Sequence, residues 1–337
     1  MVKFIAKEML AKDTPALKFS PDFDLRKVTN PGSGNVIAEF IGTGNFAEEW
    51  KTRQYFEVTA GRDAEPLLYS ALYSILQDAN LPEIIDIFQF KQGGVVFEEV
   101  LEGGEAKFGT IETGDVTARI RQFAVALEYS KKLRMYNQTW NVSIFERRVG
   151  VAHNALLNHL HLYPILAYVY AAASKTAAAS GQGGLLENVL ATIENGITHG
   201  KADATNPRKG PFNLVIAGAD MFKIEKALNR VPQTGFSKQS SALEMIQNVI
   251  VYDGWTGSRG KKETTYSGVT GGKGYLVNAA YKDEDFRSFV KQPLEAAMGN
   301  ADVSRFIEEQ TVWDVHLGVY ANPAAAVEEL TWPTSGS

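Results

Sequence analysis

The sequence predicts an α+β chain. Three observations lead there: a Gly-rich acidic turn between two β-prone runs over residues 93–134, a long helical stretch opening near Ser143, and short β-prone runs between Phe212 and Tyr320. With 337 residues, 45% apolar and 22% charged, the chain can bury a substantial core, enough for one large or two medium domains.

Residues 13–62 are rich in Pro, Gly, Asn and Thr and carry no strong helical period, so they read as an extended arm with turns. Asp63-Ala-Glu-Pro66 reads as a helix start, with Leu67, Leu68, Ala71, Leu72, Ile75 and Leu76 at helical spacing and Asn80-Leu-Pro82 as the stop. Ile84–Phe90 then leads into the hairpin. Ser143-Ile-Phe-Glu146 has the form of a capping box and opens a helix expected to run to about Lys175, broken or kinked at Pro164. A second helix is expected over Leu185–Ile197, a buried strand over Phe212–Ala217 and a helix over Asp220–Leu228. Short strands follow at Val249–Tyr252 and Tyr275–Ala279. The glycine-rich stretch 254–274 between them reads as a mildly basic surface loop. Near the end, Trp313, Val315, Leu317 and Val319 alternate with Val312, Asp314, His316 and Gly318, a period-two strand closing at Asn322-Pro323.

Charge divides the hairpin. Residues 93–115 carry six acids against Lys107, and residues 116–134 carry five bases against Glu128. An isolated two-stranded hairpin is marginal in water, so this one is expected to lie on something else, a neighbouring subunit being the natural candidate.

Composition narrows the function. The net charge is −5 and there is no basic tail, which argues against strong electrostatic binding of DNA or RNA. Cysteine is absent, which excludes disulfides, thiolate nucleophiles and Cys-based metal sites and fits synthesis in a reducing cytosol. The N-terminus is broken by charges before a signal-peptide core could form, and no apolar run approaches the length of a membrane helix.

Catalytic patterns are not found. His159 and His161 stand two apart, which on a helix points them to different sides, and there is no His-Glu-x-x-His or Gly-x-Ser-x-Gly. Around Gly260-Lys261 a phosphate loop fails, because Trp255 stands where glycine is needed and Lys262 replaces the Ser/Thr. Ser267 and Gly274 spoil the same positions around Gly272-Lys273. The doublets Glu98-Glu99 and Glu328-Glu329 straddle opposite faces and do not make a carboxylate pair. No catalytic residue, cofactor or metal ligand is assigned.

Two local sequences then suggest a family. Glu102-Gly-Gly-Glu-Ala-Lys-Phe-Gly-Thr110 followed by Arg121-Gln-Phe-Ala-Val-Ala-Leu-Glu-Tyr-Ser-Lys131 looks like an extended loop descending into a spine helix. Trp313-Asp-Val-His-Leu-Gly-Val-Tyr-Ala-Asn-Pro323 looks like a closing strand. In these and in its order of elements, the chain resembles tailed-phage major capsid proteins of the Hong Kong 97 type. The likeness is one of layout from about residue 40 onward. It implies an N-terminal arm (1–62), a helix and connecting strand (63–92) and an extended loop (93–134). It further implies a peripheral domain (135–179 and 276–337) with its spine helix, and an axial domain (180–275).

The resemblance implies a structural, non-enzymatic subunit that self-assembles through pentamers and hexamers into the icosahedral head of a tailed phage. Such a head forms in the host cytoplasm and encloses double-stranded DNA without binding it specifically. Scaffolding, portal and cement proteins are its further partners, and no membrane is involved. An encapsulin-type cellular nanocompartment is the alternative on the same fold, and a cytosolic enzyme or binding protein the reading from another class. Glu98, Glu102, Glu105, Lys107, Arg119 and Arg121 are the expected inter-subunit contacts. Arg259, Lys261 and Lys262 are expected on an exposed axial loop.

Overall fold

A computed structural model describes residues 3–4, 46–87, 116–130, 139–204, 206–229, 244–259, 262–280, 282–299 and 307–334. The described residues fall into two units, divided in the chain at 66/67 and at 154/155, with Lys3–Phe4 in the larger.

The smaller unit holds helix α1 (Phe46–Ala64) and the first half of helix α2 (Thr139–Ala167). Glycine lets the two backbones touch. A Cβ at Gly61 would stand 1.9 Å from the Arg147 carbonyl oxygen, and one at Gly150 would stand 2.1 Å from that of Val58. Val58 and Val149 are buried in this unit. Arg147 pairs with Glu57 at 2.8 Å, and Asn154 Nδ2 donates to the carbonyls of Arg62 and Glu65 where α1 ends.

The larger unit is built on a six-stranded mixed sheet, in the order β1 (Lys3–Phe4), β8 (Ile246–Val251), β7 (Phe212–Ile216), β11 (Lys273–Asn278), β14 (Val327–Thr331), β6 (Lys175–Thr176). Every residue of β7 is buried, as expected of a strand covered on both faces. Phe212, Leu214 and Ile216 join helices α3 (Leu185–Ala202) and α4 (Gly218–Leu228) in one core with Val189, Ile193, Ile224 and Leu276. The intervening Val215 belongs to a second core with Tyr73, Leu162, Ile165, Phe286 and Leu317.

A four-stranded sheet runs β2 (Ser74–Gln77), β12 (Phe286–Gly299), β13 (Ile307–Ala321), β5 (Arg121–Ser130). In β13 the alternation read from the sequence holds, with Trp313, Val315 and Leu317 buried. Two short pairs complete the strands: β3 (Ile84–Ile87) with β4 (Val116–Arg119), and β9 (Gly254–Arg259) with β10 (Lys262–Ser267). Single helical turns α5 (Lys282–Asp285) and α6 (Pro323–Ala326) flank β12 and β13.

Several expectations need correcting. Residues 46–62, read as part of an arm, are helical: the turn-rich stretch before them masked a segment of good helix formers. The helix expected from Leu67 is instead a 3-10 turn (Tyr69–Ala71) running into β2. Tertiary contacts override its short apolar period: Tyr69, Leu72 and Tyr73 enter the core, and the Leu68 N–H donates to Asn158 Oδ1 at 2.8 Å. Helix α2 begins four residues before Ser143, so Glu146 lies inside it, buried, rather than closing a cap.

Pro164 does not end α2, which has only three further residues to run. Tyrosine hydroxyls serve the carbonyls of this last stretch, Tyr73 donating to His161 at 2.5 Å and Tyr170 to Ile165 at 2.7 Å. The stretch read as a loop from 254 is largely the β9–β10 hairpin. Residues 122–130, expected in the returning arm of the long hairpin, pair with β13: Phe123 stands opposite Val315 and Val125 opposite Trp313, which supplies the burial an isolated arm lacks. Positions 275 and 276, expected on either side of a domain boundary, are neighbours in β11, and β14 joins the same sheet.

Candidate assembly surfaces

Of the expected contact residues, Glu98, Glu102, Glu105 and Lys107 lie outside the described residues, as does Lys261 of the expected axial loop. Arg119 and Arg121 fall on different sheets. Arg119 ends β4, is exposed, and holds Glu83 at 2.7 Å. Arg121 opens β5, opposite Leu317 of β13, and is also exposed. The residue between them, Ile120, turns inward to Leu81, Ile87, Phe289 and Tyr320 and donates its N–H to the Glu83 carbonyl at 2.8 Å. Arg119 and Glu83 therefore form an open surface pair, worth at most about 1 kcal/mol.

Arg259 and Lys262 are brought together: they are register partners at the described end of the β9–β10 hairpin, with Lys262 exposed. The root of the hairpin is tight. Gly254 has φ +80°, and a Cβ there would stand 2.2 Å from the Tyr266 carbonyl, so glycine is required. The preceding Asp253 accepts from the first N–H of α4, at Gly218, at 2.6 Å.

Aromatic rings anchor the hairpin, a feature that no sequence motif announced. Trp255 stacks on Tyr266 with centroids 5.5 Å apart. Tyr266 lies parallel to the His159 ring on α2 at 4.4 Å, and His159 meets Tyr163 at 5.1 Å. Burial lowers the His159 pKa, and its Nδ1 has no hydrogen-bond partner among the described residues. His161 faces elsewhere, as the spacing predicts. Its Nδ1 donates to the Leu157 carbonyl at 2.6 Å, its Nε2 accepts from Ser288 at 2.8 Å, and its ring stacks on Tyr69 at 3.7 Å. Burial pushes the His161 pKa down to about 4, so it sits in the core as a neutral ring.

A second unforeseen cluster is buried. The Arg208 guanidinium bonds Glu328 at 2.9 Å, Asp203 at 3.3 Å, the Ser174 hydroxyl at 3.1 Å and the carbonyls of Ala173 and Val327. Glu328 also accepts from Thr176 at 2.7 Å and holds His199 Nδ1 at 2.7 Å. The adjacent Glu329 turns to the other face, to Lys273 at 2.6 Å, as the doublet predicts. The arrangement locks the segment before β7 onto β6 and β14.

An open groove of about 510 Å³ lies where β2 stops beside β12, lined by Asp78, Lys291, Gln292, Pro293, Glu295 and His316. Its polar groups bond within the protein: Lys291 to the Leu81 carbonyl at 2.7 Å, Gln292 to Glu295 at 3.1 Å, and His316 to Asp314 at 3.3 Å. Among the described residues no group of three His, Asp or Glu side chains is placed to hold a metal ion, and no helix is long and apolar enough to cross a membrane. What the described residues offer is surface: sheet edges, exposed ion pairs and a clamped hairpin.

No family model and no curated protein matches the sequence. Solved structures do match. A virus-like particle from Pyrococcus furiosus superposes with a TM-score of 0.52 at 15% identity, covering 84% of this chain and 99% of that one. The capsid of the Myoviridae phage XM1 matches at 0.51 and 11% identity over 79% and 92% of the two chains. The capsid of the cyanophage P-SCSP1u matches at 0.50 and 10% identity over 79% and 88%. The chain therefore has the fold of shell-forming proteins. That fold is shared by the virus-like particle and by both phage capsid proteins, as the order of elements implied.

Proposed function

We propose that this chain is the major capsid protein of a tailed double-stranded DNA phage, a structural subunit that assembles with copies of itself, through pentamers and hexamers, into an icosahedral head. The observation that carries this reading is the reach of the match: 79–84% of this chain is aligned with 88–99% of three shell subunits, so the likeness takes in most of this chain and nearly all of theirs. A shell subunit works by burying its surface against its neighbours, which suits a molecule whose polar clusters are internally paired.

In this reading the segment carrying Glu98, Glu102, Glu105 and Lys107 reaches an adjacent subunit, and Arg119 and Arg121 lie at or near that contact. The net charge of −5 suits a wall around packaged DNA that the wall does not bind specifically. The role is structural rather than catalytic and belongs to the virion. Sedimentation velocity of the expressed protein, with analysis of particle contents, tests it. A large, homogeneous particle is expected. A monomer at every concentration, even with a scaffolding protein supplied, would contradict the proposal, and particles filled with a protein cargo would turn it toward a cellular nanocompartment.

A further inference from the structure

The β9–β10 hairpin has two chemically different faces. Its register pairs Trp255 with Tyr266, Gly257 with Thr264, and Arg259 with Lys262, and cross-strand partners share a face. One face therefore runs from two aromatic rings at the foot, past Gly257 and Thr264, to two cationic positions at the far end. The other face holds Thr256, Ser258, Glu263 and Thr265. A Cβ at Gly257 would come 1.9 Å from the Trp255 ring, so the indole lies along its own strand over the glycine.

The foot is seated, because His159 stacks on Tyr266, while Lys262 and Thr264 are exposed. Neither outer edge of the hairpin is paired among the described residues. Two strands are too few for independent stability, and aromatic rings beside cations are the composition of a protein interface.

A complementary partner is written in the same chain. The run Val95-Val-Phe-Glu-Glu-Val-Leu-Glu102 is β-prone, and residues 93–115 hold six acids against one base. In a strand, Val96, Glu98, Val100 and Glu102 share one face, apolar alternating with acidic. Such a strand is opposite in sign to the cationic end of that face, where Arg259 and Lys262 share one rung. We propose that the open edge of β10 receives the acidic run Val95–Glu105 of a second copy as an added antiparallel strand, with Glu102 at the rung of Arg259 and Lys262 and Val100 beside Thr264. This rests on the shell-subunit reading and deepens it by naming the receiving surface.

The absence of cysteine allows a direct test. Thr264→Cys and Val100→Cys are introduced in separate chains, which are mixed, assembled and mildly oxidised. A disulfide joining the two chain types in particles is expected, with none when Glu194→Cys replaces Val100→Cys. Separately, Arg259→Glu with Lys262→Glu, or Glu98→Lys with Glu102→Lys, should each lower particle yield by about tenfold or more, and combining all four should restore it. Particles of normal yield with no cross-link would overturn this assignment and leave the shell reading standing. A disulfide formed only within single, dilute chains carrying both cysteines would also overturn it. Salt-sensitive binding of single-stranded DNA, lost in Lys262→Glu while assembly is unchanged, would give the face to nucleic acid instead. Failure of the unmodified chain to form particles even with a scaffolding protein supplied would remove the shell reading, and this inference with it.

Discussion

Arg208 and Glu328, 120 residues apart in the chain, meet in an ion pair of 2.9 Å with both side chains out of solvent. The pair survives burial because each ion is also bonded elsewhere: Arg208 to Ser174 and two carbonyls, Glu328 to Thr176 and His199. Arg208→Met would strand the Glu328 carboxylate, and a loss of about 3–5 kcal/mol in unfolding free energy is expected. Replacing both, with Arg208→Met and Glu328→Leu, should cost less than the single change. Denaturant titration of the two variants checks the order.

Acid should weaken the fold through its buried histidines. His161 and His153 both have pKa values lowered from 6.5 to about 4, chiefly by burial. Above pH 6.5 both are neutral folded or unfolded. As pH falls from 6.5 to about 4 the unfolded chain takes up protons that the fold refuses, and stability drops by up to about 3 kcal/mol per group. His161→Phe should flatten this slope between pH 6.5 and 4, measured by unfolding at a series of pH values.

Asp285 works in the opposite direction. Burial, with a smaller contribution from Glu284, raises its pKa to about 6, against an opposing bond from Asn322. Its stabilising protonated form is kept at low pH and lost as pH rises from 3.8 through about 6. Asp285→Asn keeps an oxygen for Asn322 and removes the charge. It should stabilise the protein at pH 7.5 by about 1–3 kcal/mol and steepen the acid slope. No gain at pH 7.5 would show that the carboxylate is not strained there.

In the smaller unit, Gly61 and Gly150 set how closely α1 and α2 approach. Gly61→Ala or Gly150→Ala would drive a methyl into the opposing backbone, at 1.9 and 2.1 Å. Either change should cost about 1–3 kcal/mol or more, read by chemical denaturation.

The β9–β10 hairpin should depend on its ring stack. Tyr266→Ala removes the ring between Trp255 and His159, so amides from Gly254 to Ser267 should exchange faster while β7 and β11 keep their protection. Hydrogen exchange followed by mass spectrometry separates this from global unfolding.

Much of this fold was legible because its signals are local. The buried run Phe212–Ile216, the alternation around Trp313 and the helices after Leu185 and Gly218 are all periodic and long enough to read. Signals that depend on distant partners were not. Leu67–Leu76 has a helix-like spacing that the core turns into a 3-10 turn and a strand, and β12 hides behind Pro293 and two bulges. The hairpin at 254–267 reads as loop because its glycines serve turns and the Trp255 ring, while the strand pairing is set by register. Arg208 and Glu328 carry no motif at all, since their meeting follows from the packing of β14 and β6 against the segment before β7.

Electron microscopy of the purified, expressed protein tests the central proposal most directly. Closed shells of uniform diameter with icosahedral order, built from this chain and emptied of regular form by reversal of Glu98, Glu102 and Glu105 to lysine, are the expected result. A protein that stays folded but yields only monomers or irregular aggregates, across low and physiological salt, at high concentration and with a scaffolding protein supplied, would contradict it.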